Sequence, residues 1–282
     1  MKRIALSLHG YFNNKADPES GDNGFKYLCD ILLNKYEVDV FVHSWSWDQK
    51  DYINALYEPK LSYIEEQVSF KEVMETNNVS QEYFDEGFDR NNSPYAACKI
   101  ESTLSFLYSR KKSLDLVYAY ETDNNFEYDI VISARFDLGQ RDKFGKWKYY
   151  VSQMNFDPTF DMTQIYSAMW DQLNAGYADQ WFYSNSNNMR LLSMAYDAAL
   201  FAYFKKGSNY ELAVTKGWPD SLQYDGGFYD PAQFSNEKLK PYRDARTPVS
   251  EMKYPKWQCV NNHILYKWHM IVYDLYEKSR FV

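Results

Sequence analysis

The chain has 282 residues, enough for one large domain or two small ones, and its formal net charge is −8. This acidic balance argues against a nucleic-acid partner, because nucleic acids select basic surfaces. Three widely separated cysteines, Cys29, Cys98 and Cys259, fit a reducing compartment better than a disulfide framework. No stretch approaches the ~20 apolar residues of a membrane span, so we expect a cytoplasmic protein without a transmembrane segment.

Aromatic residues make up 19% of the chain, and 27 residues are tyrosines. Tyrosine and tryptophan combine a flat apolar face with a hydrogen-bonding tip, which suits the binding of sugars and nucleobases. The same side chains also pack ordinary protein cores, and composition alone does not separate the two roles.

The start of the chain alternates short apolar strands with a helix. Residues 4–8 form a β-compatible run, which gives way to a polar loop over residues 9–24. Apolar side chains recur at helical spacing over residues 25–33, and a second strand covers residues 38–43. This order predicts an α/β fold with a mostly parallel central sheet and helices on both faces.

The middle of the chain continues the alternation. Residues 63–70 are predicted to hold a third strand, and the polar residues 75–94 are predicted to be irregular. Helical spacing returns over residues 95–108, and a second helix is predicted over residues 113–122. The apolar residues 128–136 then predict another strand.

The second half of the chain is less regular. Residues 139–158 have the character of a hairpin or loop, and residues 179–184 that of a short strand. Helical spacing covers residues 189–204 and, near the end, residues 262–276. Between these helices, residues 217–255 predict a long surface loop.

Polar side chains stand where three predicted strands end. They are His9-Gly10-Tyr11, His43-Ser44-Trp45 and Arg135-Phe136-Asp137. Ligands of open parallel sheets bind at the carboxyl ends of the strands, where the loops diverge. We therefore expect these groups to converge on one cleft, with Asp179 nearby.

Arg135 and Asp137 are two residues apart, so they point to the same side of an extended chain. The guanidinium can bind phosphate or ribose oxygens, and the carboxylate can ligate a divalent cation or a sugar hydroxyl. A structural ion pair between the two residues explains the same pattern equally well.

Several well-known catalytic and binding motifs are absent from the sequence. Neither the dinucleotide-binding motif G-x-G-x-x-G nor the P-loop motif G-x-x-x-x-G-K-[ST] occurs. Gly10 therefore either allows a ligand to approach the backbone closely or forms an ordinary turn. The hydrolase motif G-x-S-x-G and the zinc motif H-E-x-x-H are also missing. His263 and His269 are six residues apart, which places them on different faces of a helix.

Asp179 stands beside Gln180, Trp181 and Phe182. A carboxylate next to aromatic rings is typical of a sugar site, in which the acid handles hydroxyls and a ring stacks on the sugar. The alternative is that the aromatic rings of this strand lie in the core.

Four segments together resemble a group of glycosyltransferases found in bacterial surface-polysaccharide clusters and in large DNA viruses. They are "RIALSLHGYF", "EVDVFVHSWSW", "YDIVISARFDL" and "DQWFYSNSNNM". The resemblance covers residues 1 to about 200, and the first segment matches more loosely than the other three. It implies a metal-dependent enzyme of polysaccharide biosynthesis with a GT-A-like fold, a nucleotide-sugar-binding α/β sandwich.

The resemblance also implies a donor site. Such enzymes commonly hold Mn²⁺ or Mg²⁺ with a D-x-D motif after a central strand, and Asp137 falls on its second acid. Arg135 replaces the first acid, so the arginine either leaves a weak metal site or neutralises phosphate itself. The donor, a UDP- or GDP-sugar, is then expected to contact His9, Gly10, Tyr11, Phe12, His43, Arg135 and Asp137.

On the acceptor side, the resemblance makes Asp179 the general base that deprotonates a glycan hydroxyl, with Gln180 and Trp181 beside it. The chain is then one domain over residues 1–282, with a donor half at 1–140 and an acceptor half with a helical tail at 141–282. Two alternatives are a nucleotidyltransferase on a related fold and a carbohydrate-binding protein without catalytic activity.

Overall fold

The computed structural model of the protein describes residues 2–13, 17–89, 98–140, 152–168, 176–216 and 254–282. Its strands and longer helices, in chain order, are β1 (Ile4–Gly10), α1 (Ser20–Leu28), β2 (Val38–Ser44), α2 (Lys50–Tyr57), β3 (Leu61–Ile64), α3 (Lys71–Thr76), α4 (Gln81–Phe84), α5 (Ile100–Asn124), β4 (Ile130–Arg135), β5 (Ile165–Ser167), β6 (Trp181–Ser184), α6 (Ser186–Ser193), α7 (Ala195–Ala198), α8 (Asn209–Lys216), α9 (Asn262–Val272) and β7 (Ser279–Phe281). Four short turns of π- or 3₁₀-helix complete them: Cys29–Leu33, Trp47–Gln49, Ala199–Tyr203 and Lys256–Val260.

These parts of the chain form a seven-stranded sheet with the order β3-β2-β1-β4-β6-β5-β7. Strand β1 lies parallel to both β2 and β4, β2 is parallel to β3, and β5 is parallel to β7. Strand β6 runs antiparallel to its neighbours β4 and β5. The predicted α/β fold with a mostly parallel sheet is confirmed, and β6 makes the sheet mixed.

The central strands are buried on both faces, which explains their continuous apolar runs. Ile4, Leu6 and Leu8 of β1 pack in one core with residues of α1 and α2. The alternate residue Ala5 belongs to a second core, which α5 and the helices after β6 cover. Helices therefore cover both faces of the sheet, as the alternation of strands and helices predicted.

Helix α5 corrects the prediction of two helices in this region, since it runs unbroken from Ile100 to Asn124. The polar run of residues 109–112 interrupts the apolar pattern, and the sequence therefore predicts a break between two helices. Arg110 and Ser113 are instead buried against the sheet and hydrogen-bonded there. A polar side chain with a buried partner leaves no apolar signature, so periodicity alone missed the continuity.

Three other predictions need correction. Residues 75–89, predicted to be irregular, include the end of α3 and all of α4, while 90–94 lie outside the described residues. The third strand is Leu61–Ile64 rather than 63–70. The helix predicted over 189–204 begins earlier and is divided into α6, α7 and a π-helical turn. Most of the predicted loops at 139–158 and 217–255 lie outside the described ranges.

We expect the folded protein to lose stability at acidic pH because two of its histidines are buried. Burial lowers the pKa of His43 and of His269 to about 4. The unfolded chain takes up these protons near pH 6.5 and the folded protein does so near pH 4, so stability is complete above pH 6.5 and is lost as the pH falls. We expect the free energy of unfolding to drop by on the order of 2 kcal/mol per histidine between pH 7 and 4.5.

Urea unfolding at a series of pH values measures this effect. The matched variant is His269→Gln, whose amide can still bond to the carbonyl oxygen of Leu191 that the imidazole contacts. Its stability should fall less steeply with pH than that of the wild-type protein. Equal slopes for the two proteins would show that His269 does not contribute to the acid sensitivity.

Candidate functional site

Three parallel strands end side by side at one edge of the sheet. His9 of β1 is in register with His43 of β2 and with Arg135 of β4. A cleft of about 610 Å³ opens at this edge. Six of the residues at the predicted strand ends line it: His9, Gly10, Tyr11, Trp45, Arg135 and Asp137. The structure thus brings the ends of β1 and β4 together in one concave site, as their positions at strand ends suggested.

Gly10 ends β1 in a backbone conformation that favours glycine. Its φ angle is +100°, and a β-carbon placed there would meet no atom within 4 Å. Its backbone N–H donates to the hydroxyl of Ser109, 2.8 Å away, and its carbonyl accepts from the hydroxyl of Ser44 at 2.9 Å. The main chain is therefore fixed in place while its side-chain position stays open for a ligand.

Gly10→Ala should lower the free energy of unfolding by about 1–2 kcal/mol, because a residue with a β-carbon is strained at this φ angle. Gly87→Ala is the matched control, since Gly87 also has a positive φ of +77° and open space at its β-carbon position. Denaturant titrations should give similar losses for both variants. An unchanged unfolding midpoint for Gly10→Ala would show that a β-carbon causes no backbone strain at this position.

The structure contains the ion pair that was one interpretation of Arg135 and Asp137. Arg135 Nε donates to Asp137 Oδ1 at 2.8 Å, and Nη2 donates to Oδ2 at 2.5 Å. The side chain of Arg135 keeps 36% exposure and that of Asp137 keeps 16%. The pair is thus fixed by two charge-assisted hydrogen bonds and still faces the cleft.

This geometry bears on the Mn²⁺ or Mg²⁺ that the resemblance implied. Both carboxylate oxygens of Asp137 accept from a guanidinium, so a cation bound there would have to displace Arg135 and lie close to its charge. Within the described ranges, no group of three or more His, Cys, Asp or Glu side chains is placed to hold a metal ion. The residues at the end of β4 do not fit a divalent cation in this arrangement.

The start of α5 forms a wall of the cleft that the sequence analysis did not assign to the site. It contributes Lys99, Glu101, Ser102, Ser105 and Phe106. The Ser105 hydroxyl donates to Gln67 Oε1 at 3.1 Å, and the Tyr11 hydroxyl reaches the same oxygen at 3.2 Å. Attention to the polar face of the predicted helix, rather than to its apolar face, would have identified these residues.

Arg110, also on α5, does not line the cleft itself but contacts His9 and Phe106, which do, and is only 1% exposed. Its Nε donates to His9 Nε2 at 3.1 Å, and its Nη2 donates to the backbone carbonyl of Asp179. Its guanidinium packs against the rings of Phe106, Phe182 and Tyr266. Burial, and after it the charge of Arg110, lowers the pKa of His9 well below its ordinary value, so this imidazole is neutral at pH 7.

Asp179 does not line the cleft either, and its backbone carbonyl contacts Arg110. It is 8% exposed, and its Oδ2 accepts from Asn262 Nδ2 at 3.2 Å. Burial acts to raise the pKa of Asp179, but nearby positive charges, led by those of His263 and Arg135, outweigh burial and lower it. Asp179 is therefore an ionised carboxylate at neutral pH, within the electrostatic reach of Arg110 and Arg135.

The remaining predicted residues lie outside the cleft. Phe12 is fully buried among the rings of Tyr52, Tyr57 and Phe136. Trp181 is also fully buried and stacks on Tyr183, which is the core role that was the alternative interpretation.

His43 and Gln180 support the site from behind rather than line it. His43 is buried, with Nδ1 2.7 Å from the Ser109 hydroxyl and Nε2 3.1 Å from Glu65 Oε1. The carboxylate of Glu65 accepts from Nε2, so the Ser109 hydroxyl donates to Nδ1. Gln180 is half-buried, and its carbonyl accepts from the backbone N–H of Arg135.

Across the described parts of the chain, no helix has both the length and the apolar character needed to cross a membrane. A scan against protein-family models and searches of curated proteins and of solved structures found nothing that matches this chain.

Proposed function

We propose that the protein is a glycosyltransferase that moves a sugar from a UDP- or GDP-sugar to a hydroxyl of a glycan or related acceptor. The observation that carries this proposal is the cleft at the carboxyl ends of β1 and β4. It joins aromatic rings, cationic groups and hydroxyls in one concave surface. A nucleotide sugar presents the complementary set, namely a flat base, an anionic diphosphate and sugar hydroxyls.

Each part of the ligand has counterparts in the cleft. The half-exposed ring of Tyr11 offers a face for a base or sugar ring. Lys99 and Arg135 offer charge-assisted donors for the diphosphate. Gly10 lets a ligand approach the backbone closely, and Ser102 offers a hydroxyl for sugar oxygens.

The sheet order supports a GT-A-like arrangement within this proposal, with parallel strands β3-β2-β1-β4 followed by the antiparallel strand β6. All the lining residues that the structure describes fall within residues 1–140, which supports the assignment of this half to the donor. Asp179, from the second half, lies outside the lining, where its backbone carbonyl accepts from Arg110. In the proposed reaction it is the candidate general base for the acceptor hydroxyl.

A second candidate function is carbohydrate or nucleotide-sugar binding without turnover. Two observations favour it: Arg135 and Asp137 neutralise each other, and Asp179 is almost fully buried. Such a protein would bind the same ligands, and binding would survive Asp137→Asn and Asp179→Asn with no turnover to lose.

A thermal-shift screen of nucleoside diphosphates and their sugars, with and without Mn²⁺, tests the proposal. A ligand at 100 times its dissociation constant adds about 2.7 kcal/mol of stability, which raises the melting temperature by roughly 5 °C or more for a chain of this size. We expect uridine or guanosine compounds to give this shift. Release of the nucleoside diphosphate on addition of an acceptor then separates the enzyme from the binding protein, whereas a screen without any shift would contradict the glycosyltransferase.

A further inference from the structure

The carboxylates near the cleft differ in what they can offer to a ligand. Among the described residues, the acidic side chains that line the cleft are Asp137 and Glu101. Both oxygens of Asp137 accept hydrogen bonds from Arg135, and Asp179 lies outside the lining. Glu101 is therefore the acidic side chain of this lining with an oxygen left to accept from a ligand.

One oxygen of Glu101 holds the carboxylate in place. Its Oε1 accepts from the hydroxyl of Ser69 and from the backbone N–H of Phe70, each at 3.2 Å. Within the part of the chain that the structure describes, the other oxygen, Oε2, has neither a hydrogen bond nor an ion pair. A carboxylate already fixed at one oxygen loses little conformational freedom when the other binds, so Oε2 is a preorganised acceptor.

The neighbours of Glu101 on α5 are hydroxyls and an aromatic ring. Ser102 and Ser105 also line the cleft, and the exposed hydroxyl of Ser102 can donate or accept. The hydroxyl of Ser105 donates to Gln67 Oε1, so its own oxygen can still accept. Phe106 is half-buried and lines the cleft beside them, which gives an apolar surface that suits the C–H face of a sugar ring.

This wall of acceptors selects a ligand that carries hydrogen-bond donors. A fully ionised diphosphate has none, and its charge is repelled by a carboxylate. A hydroxyl of a sugar or of ribose can donate to Glu101, and the next hydroxyl of the same ring can bond to Ser102. A carboxylate beside an aromatic ring was expected at Asp179 and Trp181, which lie outside the cleft, whereas Glu101 and Phe106 both line it.

We propose that Glu101 is the specificity-determining residue of the cleft, and that its Oε2 accepts from a hydroxyl of the ribose or of the sugar of the donor. The identity of the ligand as a nucleotide sugar rests on the proposed function, whereas the recognition of a sugar hydroxyl stands by itself. Glu101 binds and orients the ligand in this role and takes no proton from the acceptor.

Calorimetric titration of the full chain with UDP-glucose and GDP-mannose tests this role. Glu101→Gln is the sharpest variant, because its amide oxygen can still accept from Ser69 and Phe70 while an NH₂ group replaces Oε2. We expect the variant to bind the nucleotide sugar at least about tenfold more weakly than the wild-type protein. Loss of a negative charge beside a diphosphate would by itself tighten binding, so wild-type or tighter affinity would overturn the inference.

Titrations with UDP and GDP identify the hydroxyl. A loss of affinity that already appears with the nucleoside diphosphate assigns the hydroxyl to the ribose. A loss confined to the nucleotide sugar assigns it to the transferred sugar. Either result supports the role of Glu101.

Two controls separate this contact from a general disturbance of the cleft. Glu82→Gln changes a glutamate that also accepts from a serine hydroxyl, that of Ser80 at 2.9 Å, but lies on α4 outside the lining. It should keep wild-type affinity. Inorganic pyrophosphate has no sugar hydroxyl, so Glu101→Gln should bind it at least as tightly as the wild-type protein does. Equal losses for pyrophosphate and the nucleotide sugar would overturn the inference.

Saturation-transfer NMR with free glucose, mannose and ribose distinguishes the inference from the proposed function. Sugar signals that weaken in Glu101→Gln, in a protein that binds no nucleotide sugar, would support the hydroxyl contact and remove the glycosyltransferase. Sugar transfer with unchanged donor affinity in Glu101→Gln would support the enzyme and overturn the inference. Binding of neither free sugars nor nucleotide sugars would overturn both.

Discussion

Asp137→Ala should lower sugar transfer by at least about 100-fold while the protein stays folded. The carboxylate holds the guanidinium of Arg135 with two hydrogen bonds at the mouth of the cleft. Without it, Arg135 loses its fixed orientation, and in the proposed transfer reaction the misplacement of a positioning group by about 1 Å costs rates of this order. Release of nucleoside diphosphate in the presence of acceptor measures the effect, and the unfolding midpoint confirms the fold.

Asp115→Ala is the matched control for this experiment. Asp115 also pairs with a cation, Lys111, at 2.8 Å, but the pair lies on α5 outside the lining of the cleft. It should keep the wild-type rate and lose little stability, since exposed pairs of this kind contribute less than about 1 kcal/mol. Near-normal transfer by Asp137→Ala would count decisively against the end of β4 as the donor site.

Asp179→Asn should reduce turnover by on the order of 10²–10⁴-fold and leave donor affinity nearly unchanged. The asparagine side chain has the same shape but cannot accept a proton from the acceptor hydroxyl. The contact of Asp179 with Arg110 is made by the backbone carbonyl, so it survives the substitution. The carbonyl oxygen of the new amide can also still accept from Asn262 Nδ2.

Steady-state kinetics with separate variation of donor and acceptor measure this prediction. Asp161→Asn is a suitable control, because Asp161 is an exposed aspartate that accepts from its own neighbour Thr163 and lies outside the cleft. A loss of donor affinity with unchanged turnover would reassign Asp179 to the nucleotide pocket. Wild-type kinetics in Asp179→Asn would mean that only its backbone matters, as a support for Arg110.

The elements that the sequence predicted correctly are those with continuous runs of apolar residues. Strands β1, β2 and β4 are buried on both faces, so their apolar runs stand out and their ends are nearly fixed. Because parallel strands end at a common edge, His9, Arg135 and Asp137 followed from the same pattern. The convergence of these three side chains on one cleft could be predicted from the parallel order of the strands alone, without any known distance between them.

The parts that were missed depend on partners far apart in the sequence. Arg110 contacts His9 across 101 positions and Asp179 across 69, and no local pattern encodes either contact. The resemblance places Phe12 against the donor because it follows the first strand, and Trp181 is expected at a sugar site because it stands beside Asp179. The same rings also fill cores, and here burial decided their role.

The serines of α5 have a mechanical consequence for the cleft. Ser109 bonds to the end of β1 through Gly10 and to β2 through His43, and Ser113 bonds to Ser7 of β1 at 2.7 Å. These hydrogen bonds have fixed directions, so α5 cannot slide along the sheet unless all of them break at once. The opposite wall, residues 67–70, is held to α5 by three further hydrogen bonds: the Ser105 hydroxyl donates to Gln67 Oε1, and the Ser69 hydroxyl and the Phe70 N–H donate to Glu101 Oε1. We therefore expect α5 and the strand ends to move as one rigid body, and any breathing of the cleft mouth to require the breaking of these three bonds.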